Sequence, residues 1–283
     1  MTTPRAQHVL LTGAAGFVGF HVANKLLDKG IRVTGVDNLN SYYPVQLKKD
    51  RLALLSSREG FVFHQVDIAD HAALIAVPDV HDADAVIHLA AQAGVRYSIE
   101  NPFAYGQSNL IGHLSILELV RHAPKKPRLV YASSSSVYGA NAKAPFSEDD
   151  RVDNPVSLYA ATKRSNELTS ESYAKLYGME QVGLRFFTVY GPWGRPDMAY
   201  WTFTRDIIEG RAIRVFNHGR LNRDFTWIDD IVAGVVSTVL DQPRTANPPL
   251  HRIYNIGNNR PVELGRFIEI VEGAVGKRAE KIM

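Results

Sequence analysis

The sequence predicts an α/β fold in which a doubly wound parallel sheet is followed by a smaller C-terminal lobe. Apolar runs alternate with helical runs through the first two thirds of the 283 residues, as in parallel sheets that helices cover on both faces. A glycine-rich turn, Gly13-Ala-Ala-Gly16-Phe-Val-Gly19, joins the first strand to the first helix. After Phe187 the alternation becomes irregular, which marks the start of the lobe.

Six strands and four helices are predicted for the larger part of the chain. The strands are His8–Thr12, Ile31–Asp37, Phe61–Val66, Ala85–Leu89, Arg128–Ala132 and Gln181–Phe186, and the helices are Phe17–Lys29, Pro44–Ser57, Phe103–Ala123 and Ser157–Tyr177. Residues 188–197 have the composition of a loop. In the lobe we expect helices at Tyr200–Glu209, from Ile228 onward and at Leu264–Val275, and strands at Ile213–Phe216 and Ile253–Ile256. The expected domains are therefore residues 1–187 and residues 188–283, with the second interleaved with the first.

Composition excludes several classes of protein. The hydrophobic share of 45% is enough for a sizeable core, but no run approaches the length of a membrane span. The chain has no cysteine, which excludes disulfides and thiolate chemistry and is typical of the cytoplasm, where we expect the protein. Its net charge of +3 is small and scattered, which argues against a nucleic-acid surface. The ten histidines show no metal-ligand spacing, so no metal site is expected.

The glycine-rich turn predicts a dinucleotide site. Glycine permits a tight turn and a close approach of the backbone to a pyrophosphate, which then lies at the N-terminus of the following helix. The second strand ends at Asp37, whose carboxylate would accept hydrogen bonds from an adenosine ribose and repel a 2′-phosphate. This arrangement favours NAD over NADP.

Tyr159 and Lys163 are the candidate catalytic pair. Their spacing of four places them one turn apart on the same face of a helix. A neighbouring ammonium group and a helix N-terminus both favour the phenolate form of tyrosine, which can then accept a proton from a sugar hydroxyl. The same spacing also occurs where a surface aromatic lies near a solvated charge. The dinucleotide motif earlier in the chain favours the catalytic interpretation.

A run of serines and several arginines are candidate substrate residues. Ser133 to Ser136 follow a predicted strand, and we choose Ser134 as the partner of Tyr159, although a polar turn would explain the other serines. Guanidinium groups bind phosphate and carboxylate through two oxygens at once, although any one arginine is often a surface charge or an ion-pair partner. The candidates are Arg96, Arg185, Arg195 and Arg223.

These motifs together resemble the extended short-chain dehydrogenase/reductase family of nucleotide-sugar enzymes, which has a Rossmann-like sheet. The matching residues are Thr12-Gly-Ala-Ala-Gly-Phe-Val-Gly19, Asp67, Leu89-Ala-Ala, Asn109, the serine run, Tyr159 with Lys163, and Arg223-Asp-Phe-Thr. Within that family the chain most resembles UDP-glucuronate 4-epimerases. The stretches that carry this likeness are residues 35–43, residues 131–141, Arg185-Phe-Phe-Thr-Val-Tyr-Gly-Pro-Trp-Gly-Arg-Pro-Asp-Met198 and Val215-Phe-Asn-His-Gly219.

The resemblance implies NAD as cofactor and a set of residues that bind it. That set is Gly13, Gly16, Phe17, Val18, Gly19, Asp37, Asn38, Asp67, Ile68, Leu89, Ala90, Ala91, Asn109, Tyr159 and Lys163. It likewise implies a substrate set of Arg96, Ser134, Ser135, Ser136, Thr188, Arg195, Val215, Phe216 and Arg223. Within this set Thr188 and the serines would hold the sugar carboxylate, Arg223 the diphosphate, Arg195 the nucleotide or carboxylate end, and Val215 and Phe216 the uracil.

The reaction that the resemblance implies is conversion of UDP-glucuronic acid to UDP-galacturonic acid through a transient 4-keto sugar. Tyr159 would take the proton of the 4-hydroxyl, Ser134 would support it, and NAD would accept and return hydride. Related 4,6-dehydratases carry Asp-Glu where this chain has Ser135 and Ser136, which cannot do that acid–base work at neutral pH.

Several alternatives stay open at this point. A UDP-glucuronate decarboxylase and a UDP-hexose 4-epimerase share the first step, whereas an NAD-sensing module without chemistry would lack the Tyr159 and Lys163 pair. Members of the family commonly form homodimers through a four-helix bundle, which we expect here from the helices Phe103–Ala123 and Ser157–Tyr177. They also usually continue past the last residue of this chain with a segment that contacts ribose, so we expect an incomplete lobe.

Overall fold

The computed structural model describes residues 6–141, 143–241 and 250–283. Up to residue 141 the elements are β1 (His8–Thr12), α1 (Phe17–Asp28), β2 (Arg32–Asp37), α2 (Val45–Ser56), β3 (Phe61–Gln65), α3 (His71–Ile75), β4 (Ala85–His88), α4 (Tyr97–Glu100), α5 (Pro102–Tyr105), α6 (Gly112–His122) and β5 (Arg128–Ser134). The later elements are α7 (Leu158–Tyr177), β6 (Gln181–Phe186), β7 (Thr188–Tyr190), α8 (Ala199–Ile208), β8 (Ile213–Arg214), β9 (Asn222–Trp227), α9 (Ile228–Leu240), β10 (His251–Ile256), β11 (Pro261–Glu263), α10 (Leu264–Val275) and β12 (Lys281–Ile282).

A seven-stranded parallel sheet forms the centre of the molecule, which confirms the predicted fold class. Its strand order is β10-β6-β5-β4-β1-β2-β3. The chain runs outward from β1 through β2 to β3, then returns to β4 on the other side of β1 and runs outward again. The order therefore reverses between β1 and β4, and in such sheets ligands bind beyond the carboxyl ends of the strands at this point.

Helices cover both faces of the sheet because alternate residues of its strands are buried on opposite sides. In β1, Val9 and Leu11 belong to the core that includes α1 and α9, whereas Leu10 belongs to the core that includes α6. All three are fully buried. Burial of each such side chain contributes roughly 1.5–3 kcal/mol of transfer free energy, so the sheet is fixed on both faces.

The smaller lobe has its own sheets and its own core. One sheet has the order β11-β9-β7, and β8 pairs in parallel with β12. Its apolar core consists of Ile207, Ile213, Val215, Ile268 and Val271. The strand β10 and the helix α9 also follow residue 187 in sequence, but they belong to the large sheet and its cover. β10 pairs with β6, and α9 packs on α1. The domain boundary at residue 187 stays a prediction.

Three predicted elements differ from the structure. The predicted helix Phe103–Ala123 is interrupted, because residues 106–111 form a π-helical segment between α5 and α6. The predicted strand Ile213–Phe216 ends at Arg214, since residues 216–219 form a tight turn in which Asn217 and His218 have left-handed φ. The segment read as a loop begins with β7, a three-residue strand that cross-strand pairing with β9 stabilises.

No helix of the described ranges is long and apolar enough to cross a membrane. The cytoplasmic location predicted from composition stays a prediction.

Candidate active site

The glycine-rich turn lies against the end of β4, and this contact explains its glycines. Gly13 has a φ of +74°, and a Cβ atom there would lie 2.7 Å from the backbone nitrogen of Ala90. A Cβ atom at Gly19 would overlap the carbonyl oxygen of Gly13. The Gly13 backbone nitrogen donates to the Val36 carbonyl at 2.7 Å. The turn therefore leaves the backbone at the N-terminus of α1 bare of side chains, as close approach of a pyrophosphate requires.

Asp37 lies at the end of β2 and is almost entirely buried. Burial raises the pKa of its carboxyl group, although the Lys48 ammonium opposes this from 3.9 Å. Beside it, Asn38 donates to the carboxylate of Asp67 at 3.0 Å. These side chains form a polar wall on the β2 side of the glycine turn. Their position suits the hydroxyls of a ribose.

A cleft of about 690 Å³ opens at the carboxyl ends of the central strands. Every predicted cofactor and substrate residue lines it except Asn109, Arg96, Val215 and Phe216. Tyr42, Tyr43 and Lys48 also line it and were missed. The sequence feature that could have pointed to this wall is a pair of cationic residues, Lys48 and Arg51, three positions apart on the helix that follows Asp37. Both side chains are buried.

The catalytic candidates meet in this cleft. The N-cap residue Ser157 starts α7 by accepting a hydrogen bond from the Ala160 amide at 3.1 Å, and Tyr159 and Lys163 follow on the first turns. Tyr159 hydrogen-bonds the Ser134 hydroxyl at the end of β5. The Lys163 ammonium is buried and donates to the Ala132 carbonyl of β5 at 2.8 Å. Helix α7 and strand β5 thus bring the three side chains together.

The electrostatics of Tyr159 differ from the expectation in one respect. Burial raises the pKa of its phenol, and the opposing influences are the Ser134 hydrogen bond and the Arg195 charge, rather than the Lys163 ammonium. Burial also lowers the pKa of Lys163 to about 8, against the attraction of Glu167. Without cofactor the site therefore holds a neutral phenol.

The serine run divides between structural and site roles. Ser133 donates to Glu167 at 2.6 Å and is buried. Ser134 accepts from the Ser136 amide at 3.1 Å, which begins a short turn that presents Ser135 and Ser136 to the cleft. Thr188 of β7 lines the same cleft as these two serines and Tyr159, and we call Ser135, Ser136 and Thr188 the polar patch.

The four arginines have different roles. Arg185 was wrongly included among the anion-binding candidates, because it forms a buried two-point ion pair with Glu167 at 2.9 Å for each bond. Arg195 lines the cleft and is paired with Asp197 at 2.8 Å, and Tyr42 donates to the same carboxylate. The exposed Arg223 lines the cleft from β9.

Four of the predicted site residues lie outside the cleft wall. Asn109 is buried in the π-helical segment and binds both backbone groups of Gln92 and the Thr162 hydroxyl, so it supports the wall from behind. Arg96 stacks over the ring of Phe216 at 4.3 Å on the surface. Val215 is buried in the core of the small lobe. The uracil contacts of Val215 and Phe216 stay a prediction.

The cleft combines a dinucleotide cradle with a tyrosine, lysine and serine at one edge of a single sheet. The model of the NAD dependent epimerase/dehydratase family matches residues 9–257. The chain belongs to this family. Among the described residues no cluster of metal-ligating side chains occurs.

Relatives in this family are similar over most of the chain. UDP-glucuronate 4-epimerase 3 of Arabidopsis thaliana is 47% identical over 99% of this chain and 67% of its own length. A probable UDP-glucuronate 4-epimerase of Rhizobium meliloti is 48% identical over 95% of this chain and 83% of its own length. The solved structure of UDP-glucuronic acid 4-epimerase from Bacillus cereus, in complex with UDP-glucuronic acid and NAD, has a TM-score of 0.87 at 35% identity. It is matched over 97% of this chain and 85% of that one. The resemblance drawn from the motifs is confirmed.

Proposed function

We propose that the protein is an NAD-dependent UDP-glucuronate 4-epimerase, which interconverts UDP-glucuronic acid and UDP-galacturonic acid. The observation that carries this proposal is the meeting of Tyr159, Ser134 and Lys163 in the cleft that also holds the glycine cradle. Asp37 at the far wall supports NAD rather than NADP, because a buried carboxylate repels a 2′-phosphate. Curated relatives of this activity are similar over nearly the whole chain.

Within this function Tyr159 is the acid–base group. Bound NAD supplies the hydride acceptor and donor for C4 of the sugar. The Tyr159 oxygen accepts the proton of the 4-hydroxyl and later returns it to the oxygen of the 4-keto sugar. Ser134 donates its hydrogen bond to the phenolate and orients it, and Lys163, anchored to strand β5, holds the start of α7 at a fixed distance from Ser134.

The polar patch of Ser135, Ser136 and Thr188 separates epimerisation from decarboxylation. A 4-keto uronic acid loses carbon dioxide when the carboxylate bond aligns with the carbonyl. Hydroxyls that bind the carboxylate hold that bond out of alignment, and each such charge-assisted hydrogen bond contributes about 1.5–3 kcal/mol. Ser135, Ser136 and Thr188 all line the cleft that Tyr159 lines, which supports this role.

We also propose that the protein is a homodimer. The segment of residues 102–123 and helix α7 expose leucine and isoleucine side chains, among them Leu110, Ile111, Leu114, Leu168 and Leu176. Apolar side chains at these positions on neighbouring helices are suited to pairing with a second copy across a two-fold axis. This arrangement would be a four-helix bundle.

Proton NMR of purified protein with UDP-glucuronic acid and NAD+ tests the function. We expect a growing H4 signal of the galacturonate at a constant total of UDP-uronic acid. Formation of a UDP-pentose and carbon dioxide would make the protein a decarboxylase. Binding of NAD+ without any conversion would contradict both activities and favour a sensing module.

A further inference from the structure

A buried arginine behind the cleft has no role in the reaction described so far. Arg51 lies on α2 and is fully buried. Arginine keeps its charge in protein interiors, and among the described residues no carboxylate forms an ion pair with this one. Its described hydrogen bonds go only to neutral oxygen atoms, and its Nε has no described partner. The guanidinium also lies 5.7 Å from the centre of the Tyr43 ring, and its charge helps to lower the pKa of the Asp37 carboxyl group, with which it forms no ion pair. An apolar side chain of similar volume would serve packing at lower cost, so the charge and shape of Arg51 call for another explanation.

The guanidinium of Arg51 joins three parts of the cleft wall. Its NH1 group donates to the Ala15 carbonyl in the glycine-rich turn and to the Tyr43 hydroxyl, both at 2.9 Å. Its NH2 group donates to the Trp193 carbonyl at 2.6 Å. Ala15 lies beside the dinucleotide cradle, whereas Trp193 lies two residues before Arg195. One planar group thus connects the cofactor half of the cleft to the loop that forms its substrate half.

The loop that receives this bond is held in an unfavourable conformation. Trp193 has a φ of +61°, which is rare for a residue other than glycine and persists only where the surroundings enforce it. Helix α1 contributes to this, since His21 bonds the Pro192 carbonyl at 2.9 Å and the Phe20 ring lies 5.7 Å from the Trp193 ring. Helix α1 begins at the glycine-rich turn, so a change at the turn reaches the loop along two routes.

We propose that Arg51 is a positioning residue that couples the two halves of the cleft. With NAD bound, the glycine-rich turn is fixed, and Arg51 transmits this order to residues 193–195. Because residues 193–195 are then already ordered, Arg195 binds the anionic sugar nucleotide with a smaller loss of conformational entropy. Coupling of this kind is reciprocal, so the sugar nucleotide must tighten NAD binding by the same factor. The inference rests on the proposed function for its two ligands.

Calorimetry with NAD+ and UDP tests this coupling without turnover. The Kd of NAD+ is measured on cofactor-free protein with and without saturating UDP. In the wild type we expect UDP to tighten NAD+ binding by about 10-fold, within the usual range of coupling between sites. In Arg51→Lys the charge remains but the fork that reaches three oxygens is lost, and we expect less than about 2-fold tightening. A lysine variant that keeps the wild-type ratio would overturn the proposal.

Arg58, two residues beyond the last residue of α2, provides a control. Its guanidinium binds the Asn24 carbonyl at 3.1 Å and Asp28 at 2.6 Å, so it also ties the α2 end to α1, but away from the cleft. Arg58→Lys should keep the wild-type coupling, and an equal loss in both variants would mean general loosening and overturn the proposal. If the wild type converts UDP-glucuronic acid but binds NAD+ and UDP independently, the coupling is refuted and the proposed function stands. A wild type that binds neither ligand would refute the proposed function as well.

Discussion

At the scale of single residues, burial decides which polar side chains act in the cleft and which hold it together. Lys163 is buried and donates to a backbone carbonyl, whereas we propose that Ser134 orients Tyr159. The glycines and the Tyr159 spacing were recognisable from sequence because local geometry fixes them. The role of Arg185 was not, because its partner Glu167 lies on another element and no spacing rule joins the two.

Replacement of the catalytic tyrosine tests its role directly. Tyr159→Phe removes the proton acceptor and keeps the ring, so kcat should fall by about 10³-fold or more, while the Kd of UDP stays near that of the wild type. Tyr105→Phe is the matched control, since its ring contacts Tyr159 edge-on but its hydroxyl bonds the Ala93 carbonyl. Epimerisation by Tyr159→Phe at the control's rate would exclude the phenol as the base.

The hydroxyl of Thr188 should govern the fate of the 4-keto sugar. Thr188→Val keeps the shape of the side chain but removes one donor to the carboxylate, a loss of about 1.5–3 kcal/mol or roughly 10- to 150-fold in binding. We expect a higher KM for UDP-glucuronic acid and a UDP-pentose by-product, both visible by NMR. Thr202→Val on α8 is the control, because that hydroxyl bonds its own helix. A Thr188→Val enzyme with an unchanged KM and a single product would remove Thr188 from the carboxylate site.

At the scale of elements, the buried pair of Glu167 and Arg185 fixes α7 on the sheet. Glu167 is 1% exposed and binds Arg185 of β6 and Ser133 of β5. It lies one turn beyond Lys163, so the pair helps to fix the position of the candidate catalytic residues relative to the strands. Burial alone would raise the pKa of Glu167, but the bonds from Arg185 and Ser133 outweigh it and hold the pKa below its usual range.

Loss of this pair should destabilise the whole molecule. Glu167→Gln leaves the Arg185 charge buried without a compensating carboxylate. We expect the free energy of unfolding, measured by urea denaturation, to fall by about 3–5 kcal/mol. Glu269→Gln breaks an exposed pair on α10 and should cost less than about 1 kcal/mol.

The acid sensitivity of the protein gives the same pair a second test. Because the folded pKa of Glu167 is lowered, its contribution is complete above the ordinary glutamate pKa and is lost as the pH falls through the folded value. The difference in stability between wild type and Glu167→Gln should therefore shrink in acid. A difference that is constant from neutral to acid pH would contradict the ion-pair explanation.

Sequence reasoning was reliable for long elements and weak for short ones. The strands of the large sheet are mostly rich in apolar residues, so the hydrophobic pattern located each of them within a few residues. The π-helical segment and the two-residue β8 depend on contacts distant in sequence, namely the bond from Asn109 to Thr162 and the pairing with β12. Periodicity does not contain such information.

At the scale of the whole molecule, both parts of the chain contribute to the large sheet and to the cleft. The sheet reverses its order at β1 and β4, which opens the cleft, and the small lobe closes it from β7 and β9. The strand β10 returns from the later sequence to the edge of the large sheet.

The exposed helices leave one further surface, which we propose pairs with a second copy of the chain. In a two-fold interface each residue occurs twice, so one buried charge is introduced on both sides at once. Leu114→Glu on α6 removes about 1.5–3 kcal/mol of apolar burial per copy and adds an unpaired charge. By light scattering the wild type should have twice the chain mass of 31.4 kDa, and the variant the mass of one chain. Ile270→Glu, at an exposed position on α10, should leave the dimer intact. A wild type with the mass of one chain would contradict the dimer, and equal dissociation by both variants would place the interface elsewhere.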